Sequence, residues 1–149
     1  MENKIKEISF EEILPTWKNF LWPERISVIE EVSCIDQSGK IDVSIRQFSS
    51  VFFGCISNEE LTGVISCHPI SRDIMRIRGI YVFQIHRNKG LGRQLISKVI
   101  EFSHNRRFQK IFGLVREKNE QYFEGAGFYT YSNTDAFEYG PHVLMEFRL

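Results

Sequence analysis

Two hydrophobic rhythms alternate along this chain of 149 residues. Val51-Phe-Phe-Gly-Cys-Ile-Ser57 and Leu61-Thr-Gly-Val-Ile-Ser-Cys67 are short apolar runs separated by Asn58-Glu59-Glu60, which predicts two strands joined as a hairpin. Ile77 to Phe83 and Ile111 to Val115 have too few polar interruptions for one wet face, so both predict buried strands. Between them Leu91, Leu95, Ile96, Val99, Ile100 and Phe102 fall on one helical stripe that ends near His104-Asn105. Strand, helix and strand of these lengths predict a right-handed βαβ unit with parallel strands.

The flanks are read the same way. Ile5 to Phe10 predicts a strand, and Ser9-x-x-Glu12 a capping box that starts a helix. Leu14, Trp17, Phe20 and Leu21 continue at helical spacing, Pro15 is compatible only with the first turn, and Pro23 ends the pattern. Residues 24–50 are the least patterned: Ile26, Val28 and Ile29 suggest a second helix, and Ser38-Gly39-Lys40 a loop. A short helix near Asn119–Glu124 runs into Gly125-Ala-Gly127, glycines suited to a left-handed cap. Phe128 to Tyr131 begins another strand. Val143, Met145, Phe147 and Leu149 alternate with Leu144, Glu146 and Arg148 as a terminal antiparallel strand.

Composition narrows the function. One domain over residues 1–149 is expected at this length. Lys plus Arg equals Asp plus Glu at 19 each, so no overall field points to nucleic acid or to an anionic membrane. No run reaches the ~18–20 apolar residues of a membrane span, and the charged start leads into no secretory leader. Cys34, Cys55 and Cys67 lack metal-ligand spacing, so no metal is expected, and Cys55 and Cys67 read as small buried hydrophobes. A reduced, cytoplasmic protein is the expectation.

The chemistry concentrates at one turn. Arg87-x-x-Gly90-x-Gly92 lies where the strand ending near Phe83 gives way to the helix. A helix N-terminus offers free N–H groups and the positive end of a dipole, which favour a phosphate. Gly90 lets the chain turn, Gly92 removes bulk where a ligand would approach, and Arg87, Lys89 and Arg93 add charge. A nucleotide site built on the same turn would want Gly-Lys-Ser/Thr or Gly-x-Gly-x-x-Gly, and neither is present.

Val82 to Ile96, with Arg87-Asn-Lys-Gly-Leu-Gly92, resembles the acyl-CoA-binding motif of the GNAT acetyltransferase superfamily, and Tyr122-Phe-Glu-Gly-Ala-Gly-Phe128 is similar to the segment that follows it there. The resemblance covers roughly residues 50 to 130. It implies an α/β fold of the α+β kind: a central mixed β-sheet with a βαβ acyl-CoA-binding core flanked by helices. It implies an acyl-CoA-dependent N-acetyltransferase moving an acetyl group from acetyl-CoA to a primary amine of a small molecule or protein, by direct attack in a ternary complex. A noncatalytic acyl-CoA-binding module is the rival reading, and a homodimer through terminal strands is a family-level option.

On that resemblance the N–H groups of Asn88, Lys89, Gly90, Leu91, Gly92 and Arg93 face the diphosphate with Arg87 beside them. The pantetheine arm adds to Ile80, Tyr81 and Val82, in a gap between the strand 77–83 and the strand 111–115. A backbone N–H near Val82 then meets the thioester oxygen, worth about 3 kcal/mol in the transition state. Asn119 or Arg116 contacts the pantetheine. Residues 24–50 cover the acceptor; Trp17, Phe20, Trp22 and Tyr139 flank that side, either lining a pocket there or as ordinary core.

The proton relay is open. His68 at a strand end is the first candidate base because imidazole titrates near neutrality, and Glu30 or Glu31 could bind a cationic acceptor or take its proton through water. His86 is placed at the cofactor's edge, and His104 and His142 carry no signal. The family's usual tyrosine aligns with Phe123, one residue after Tyr122. Adjacent helical residues point ~100° apart, so the acid is Tyr122 by rotation of the helix, Tyr81, Tyr129, or none.

Overall fold

Ser9 begins the first helix as its sequence predicts. Its hydroxyl accepts from Glu12 N–H at 3.1 Å while Ser9 N–H donates to the Glu12 carboxylate at 3.0 Å, satisfying two of the donors that a helix start orphans. The computed structural model describes residues 3–134 and 140–149; Tyr139 lies outside the described residues. The chain runs β1 (Lys4–Ile8), α1 (Phe10–Thr16), a π-helical turn (Trp17–Leu21), a 3-10 turn (Val43–Gln47), β2 (Val51–Ser57), β3 (Glu60–Pro69) and β4 (Ile74–Val82). It continues through a 3-10 turn (Gln84–His86), α2 (Leu91–Asn105), β5 (Lys110–Arg116), a 3-10 turn (Glu117–Asn119), α3 (Glu120–Gly125), β6 (Tyr129–Thr134) and β7 (His142–Arg148).

Among the described residues, seven strands make one sheet in the order β1-β2-β3-β4-β5-β7-β6. Only β4 and β5 are parallel, with α2 as their crossover; every other neighbouring pair is antiparallel. Ser57 pairs with Glu60 across a tight turn with Asn58 and Glu59 at positive φ, as the hairpin pattern requires.

Strand alternation divides the apolar residues between two faces. Met75, Ile77, Ile111, Val115, Val143 and Met145 face Leu91, Leu95, Ile96 and Val99 of α2. Each such fully buried aliphatic side chain contributes about 1.5–3 kcal/mol. The other face meets α1 through Ile8, Ile13, Trp17, Phe52 and Val64, and the 43–48 turn through Ile45, Ile70, Phe112 and Leu144.

The second helix expected at Ile26, Val28 and Ile29 is absent. Ile26 and Val28 are 93% and 81% exposed, so their spacing reflects no buried face. The segment is instead held by its backbone: Arg78 donates to the Glu30 carbonyl at 2.8 Å, and Asp42 N–H to the Cys34 carbonyl at 2.7 Å. Pro15 sits inside α1 rather than in its first turn, and the helix widens into the π turn directly after it. Proline withholds an N–H from the helical ladder, so the turn spacing changes where that bond is missing.

A bulge in β4 positions the site. Ser66 pairs with Arg78 and Val64 with Tyr81, so Gly79 and Ile80 together oppose the single residue Ile65. Bulges bend a strand and sharpen its twist. Gly79 has φ +71, and a Cβ there would lie 2.4 Å from Trp17, so only glycine fits both the backbone and its neighbour. The parallel pairing of β4 with β5 ends at Ile77 and Gly113, immediately before the bulge. Beyond that point the two strands part.

Candidate active site

The gap between the parting strands is bridged by the Trp17–Leu21 turn. Trp17 Nε1 donates to the Gly79 carbonyl at 2.8 Å on the β4 side. On the β5 side, Arg116 Nη2 donates to the Leu21 carbonyl at 2.9 Å. A cavity opens to either side of this bridge.

The first cavity, about 740 Å³, runs from the gap to the N-terminus of α2. It gathers Ile80, Tyr81, Val82, Arg87, Asn88, Gly90, Leu91, Gly92, Arg93 and Asn119. Of the residues expected around a cofactor, Lys89 alone does not line it and is exposed. Gly90 caps α2 in the left-handed region at φ +80, and Gln94 N–H is the donor that reaches its carbonyl. The N–H groups of Leu91, Gly92 and Arg93 therefore precede the intrahelical ladder and point out of the helix start.

The two glycines of the turn answer to different constraints. No atom comes within 4 Å of a Cβ built on Gly90, so its glycine answers to the backbone and to open space. A Cβ on Gly92 would lie 2.1 Å from Tyr122 Oη, so Gly92 makes room for this hydroxyl. Tyr122 thus hangs over the first turn of α2. Burial raises its hydroxyl's pKa, and the neighbouring Arg93 opposes that shift. Val82 has its carbonyl taken by Arg87 Nε at 2.8 Å, with the Arg87 guanidinium 5.3 Å from the Tyr81 ring.

The second cavity, about 630 Å³, lies under residues 22–41 on the α1 side of the sheet. Arg25, Arg76, Arg78, Arg116 and His142 line it, and no carboxylate does among the described residues. Leu21, Ile80, Arg116, Asn119 and Phe123 belong to both cavities, so the two meet at the gap. Phe123 is buried at that junction against Phe128 and Tyr122. Of the aromatic residues expected around an acceptor, Trp22 lines the second cavity and Phe20 the first, whereas Trp17 is core.

His68 and Glu31 line neither cavity. His68 is fully buried, and both ring nitrogens are occupied: Nδ1 lies 3.0 Å from the Pro69 carbonyl, and Nε2 accepts from Ser33 N–H at 3.3 Å. A carbonyl only accepts, so Nδ1 carries the proton and the ring is neutral. Burial, with Arg76 and Arg78 nearby, pushes its pKa down to about 3. Glu31 is exposed and offers its backbone carbonyl to Ser50 Oγ and to Arg78. The Glu30 carboxylate turns outward to Arg46 at 3.7 Å.

His68 carries a stability consequence. Its folded value lies below the ordinary 6.5, so between the two values the unfolded chain binds more protons. The contribution is complete above pH 6.5 and is lost as pH falls toward about 3, at up to about 1.4 kcal/mol per pH unit. Denaturant midpoints taken from pH 7 to pH 4 are expected to follow that slope, and His68→Gln, which keeps an acceptor for Ser33, to flatten it. An equal slope in the variant would assign the loss to other groups.

His142, silent in the sequence, is the imidazole that reaches the second cavity. It opens β7 and is buried, and its Nδ1 lies 2.8 Å from the Gly140 carbonyl. That bond fixes Nδ1–H and leaves the lone pair on Nε2. Burial lowers its pKa first, with Arg116 and Arg76 adding to the shift and the Gly140 bond opposing it. Its signal was pairing rather than motif: His142 sits opposite Arg116 where β7 meets the open end of β5.

Among the described residues, no helix is long and apolar enough to cross a membrane, and no cluster of His, Cys, Asp or Glu could hold a metal ion. No curated protein matches the chain in sequence. Solved structures do match in fold. Escherichia coli ElaA superposes with a TM-score of 0.71 at 15% identity, covering 99% of each chain. The IAA acetyltransferase of Bacillus cereus gives 0.74 at 16%, covering 99% of this chain and 100% of that one. A GNAT family acetyltransferase of Elizabethkingia anophelis, solved with acetyl-CoA bound, gives 0.66 at 18%, covering 99% and 98%. The model of the acetyltransferase (GNAT) family matches residues 14–128. A match over that span, on a fold shared from end to end, makes this chain a member of the GNAT family of N-acetyltransferases.

Proposed function

We propose that the chain transfers an acetyl group from acetyl-CoA to a primary amine by direct attack, with cofactor and acceptor held in the two cavities. The observation that carries this reading is their meeting at Ile80, Arg116, Asn119 and Phe123, where β4 and β5 part. The diphosphate lies against the N–H groups of Leu91, Gly92 and Arg93, and the pantetheine arm runs along Ile80 to Val82. The thioester then stands at the junction, within reach of an amine arriving from the other side.

Attack requires a neutral amine, whereas a lysine-like amine has a pKa near ~10.4. The arginine-lined cavity favours loss of that proton, because like charge disfavours an ammonium ion. His142 Nε2 is the acceptor for it. His142 rather than His68 takes this role, because His68 is sealed between Pro69 and Ser33. Attack forms the new C–N bond and a tetrahedral centre; its collapse breaks the C–S bond, and the second proton on the nitrogen passes to solvent. The sulfur leaves as a thiolate, a tolerable leaving group with a pKa near ~8.5. Phe123 offers it no proton, and the Arg116 charge lies beside it at the junction. Tyr122, poised over Gly92, meets the diphosphate end of the cofactor rather than the sulfur.

Calorimetric titration with acetyl-CoA, 3′-dephospho-CoA and ATP tests the cofactor half. Micromolar binding of acetyl-CoA, well above that of ATP, is expected, and absence of binding would overturn the assignment. Thiol release across an amine panel tests transfer; tight binding with no release for any amine would favour the noncatalytic reading.

A further inference from the structure

Arg76 and Arg78 stand two residues apart on one face of β4 and are treated very differently. Arg78 donates to the Glu30 and Glu31 carbonyls at 2.8 and 3.4 Å, and its guanidinium lies 4.9 Å from the Trp17 ring and 5.3 Å from that of Trp22. It ties the 24–50 segment to the sheet. Arg76 is 6% exposed, yet among the described residues neither Nε nor Nη1 has a hydrogen-bond partner. The Phe112 ring lies 5.7 Å from its guanidinium and offers no acceptor.

A buried cation without acceptors is costly, and proteins retain one where something else completes it. Among the described residues, the groups packed around Arg76 do not. Arg25, Arg78, Arg116 and His142 share its cavity, and His68, its register partner on β3, has both nitrogens occupied. Glu146, further along the same face on β7, is bound to Lys110, Arg148 and Tyr129. Burial, with Arg25 adding to it, pushes the Arg76 pKa down to about 10, so the side chain remains charged at neutral pH.

We infer that the acceptor amine carries an anionic group, a carboxylate or a phosphate, and that Arg76 receives it on the floor of the second cavity. The inference rests on the transferase reading and narrows it: amino acids, short peptides presenting their C-terminus, and phosphorylated amines fit, whereas polyamines and uncharged amines do not. A planar guanidinium binds either anion through paired N–H groups. The anion at Arg76 would anchor one end of the acceptor and leave its amine toward the junction.

The test uses matched pairs: L-amino acids and dipeptides against their carboxamides, and O-phosphoethanolamine against ethanolamine. Thermal shift with and without acetyl-CoA reads binding, and thiol release reads turnover. The expected result is stabilisation by the acids but not by their neutral partners, with at least about a tenfold preference in kcat/KM. Carboxylate and phosphate arms separate the two anions. Arg76→Met should collapse the preference to within about threefold, and Arg76→Lys should restore part of it. Calorimetry with acetyl-CoA reports whether each variant is folded. Equal response to acids and neutral partners, or no response to the acids, overturns the inference even where acetyl-CoA binds. Failure to bind acetyl-CoA, with the acid-selective shift intact, overturns the transferase reading instead.

Discussion

Gly90→Glu is expected to leave the chain folded and to weaken acetyl-CoA binding by about 100-fold or more, roughly 3 kcal/mol. Gly90 sits at φ +80 with no atom within 4 Å of the position a Cβ would take. The new side chain therefore meets no neighbour, and the left-handed backbone costs about 1–2 kcal/mol. Its carboxylate would compete for the N–H groups at the start of α2 and repel a diphosphate brought to the same place. Gly90→Asn is the matched control, since asparagine tolerates the left-handed region and carries no charge. Calorimetric titration alongside thermal unfolding separates binding from stability. Wild-type affinity in Gly90→Glu would remove the cradle from the cofactor site. Gly92 is a less clean target, because any side chain there first displaces Tyr122.

A comparably large effect is expected from His142→Gln: a fall in kcat of about 100-fold with acetyl-CoA affinity retained. The sign of the pH dependence follows from the lowered pKa. The imidazole is a base above that value and is lost as one when pH falls through it. The acidic limb of the wild-type kcat/KM profile should therefore lie below 6.5, the ordinary histidine value, and should vanish in the variant. Steady-state thiol release from pH 5 to 9 measures both. Unchanged kcat would leave deprotonation of the amine to the arginine-lined cavity alone.

Legibility along the chain followed the range of the interaction. Elements set by local pattern were readable: the Ser9 capping box, the hairpin through Asn58-Glu59, the α2 stripe, and the alternation of β7. The turn at residues 87–93 was readable too, because strand end, glycine cap and helix start are consecutive in sequence. His142, Arg76 and Tyr122 owe their surroundings to neighbours that are distant in the chain. His142 faces the cavity because β7 inserts between β5 and β6, and no spacing along the sequence announces that insertion. Arg76 in a strand pattern looks like an exposed position, until the 24–50 segment covers its face. Gly79 did carry a usable signal, since an isolated glycine within a strand run marks a bulge. The 24–50 segment misled because its apolar residues have helical spacing, while backbone bonds to Arg78 and within Asp36–Lys40 fix its course.

The bridge from Trp17 to Leu21 holds both banks of the gap, Gly79 on one and Arg116 on the other. It acts as a spacer of fixed length, so the width of the opening is set by five residues of the chain rather than by what enters it. A ligand that arrives at a slot already cut to gauge spends less of its interaction energy on ordering the protein. The same spacer also limits which ligands can be accommodated. On the transferase reading proposed above, lengthening the turn or releasing one of its two bonds would widen the opening to a bulkier thioester.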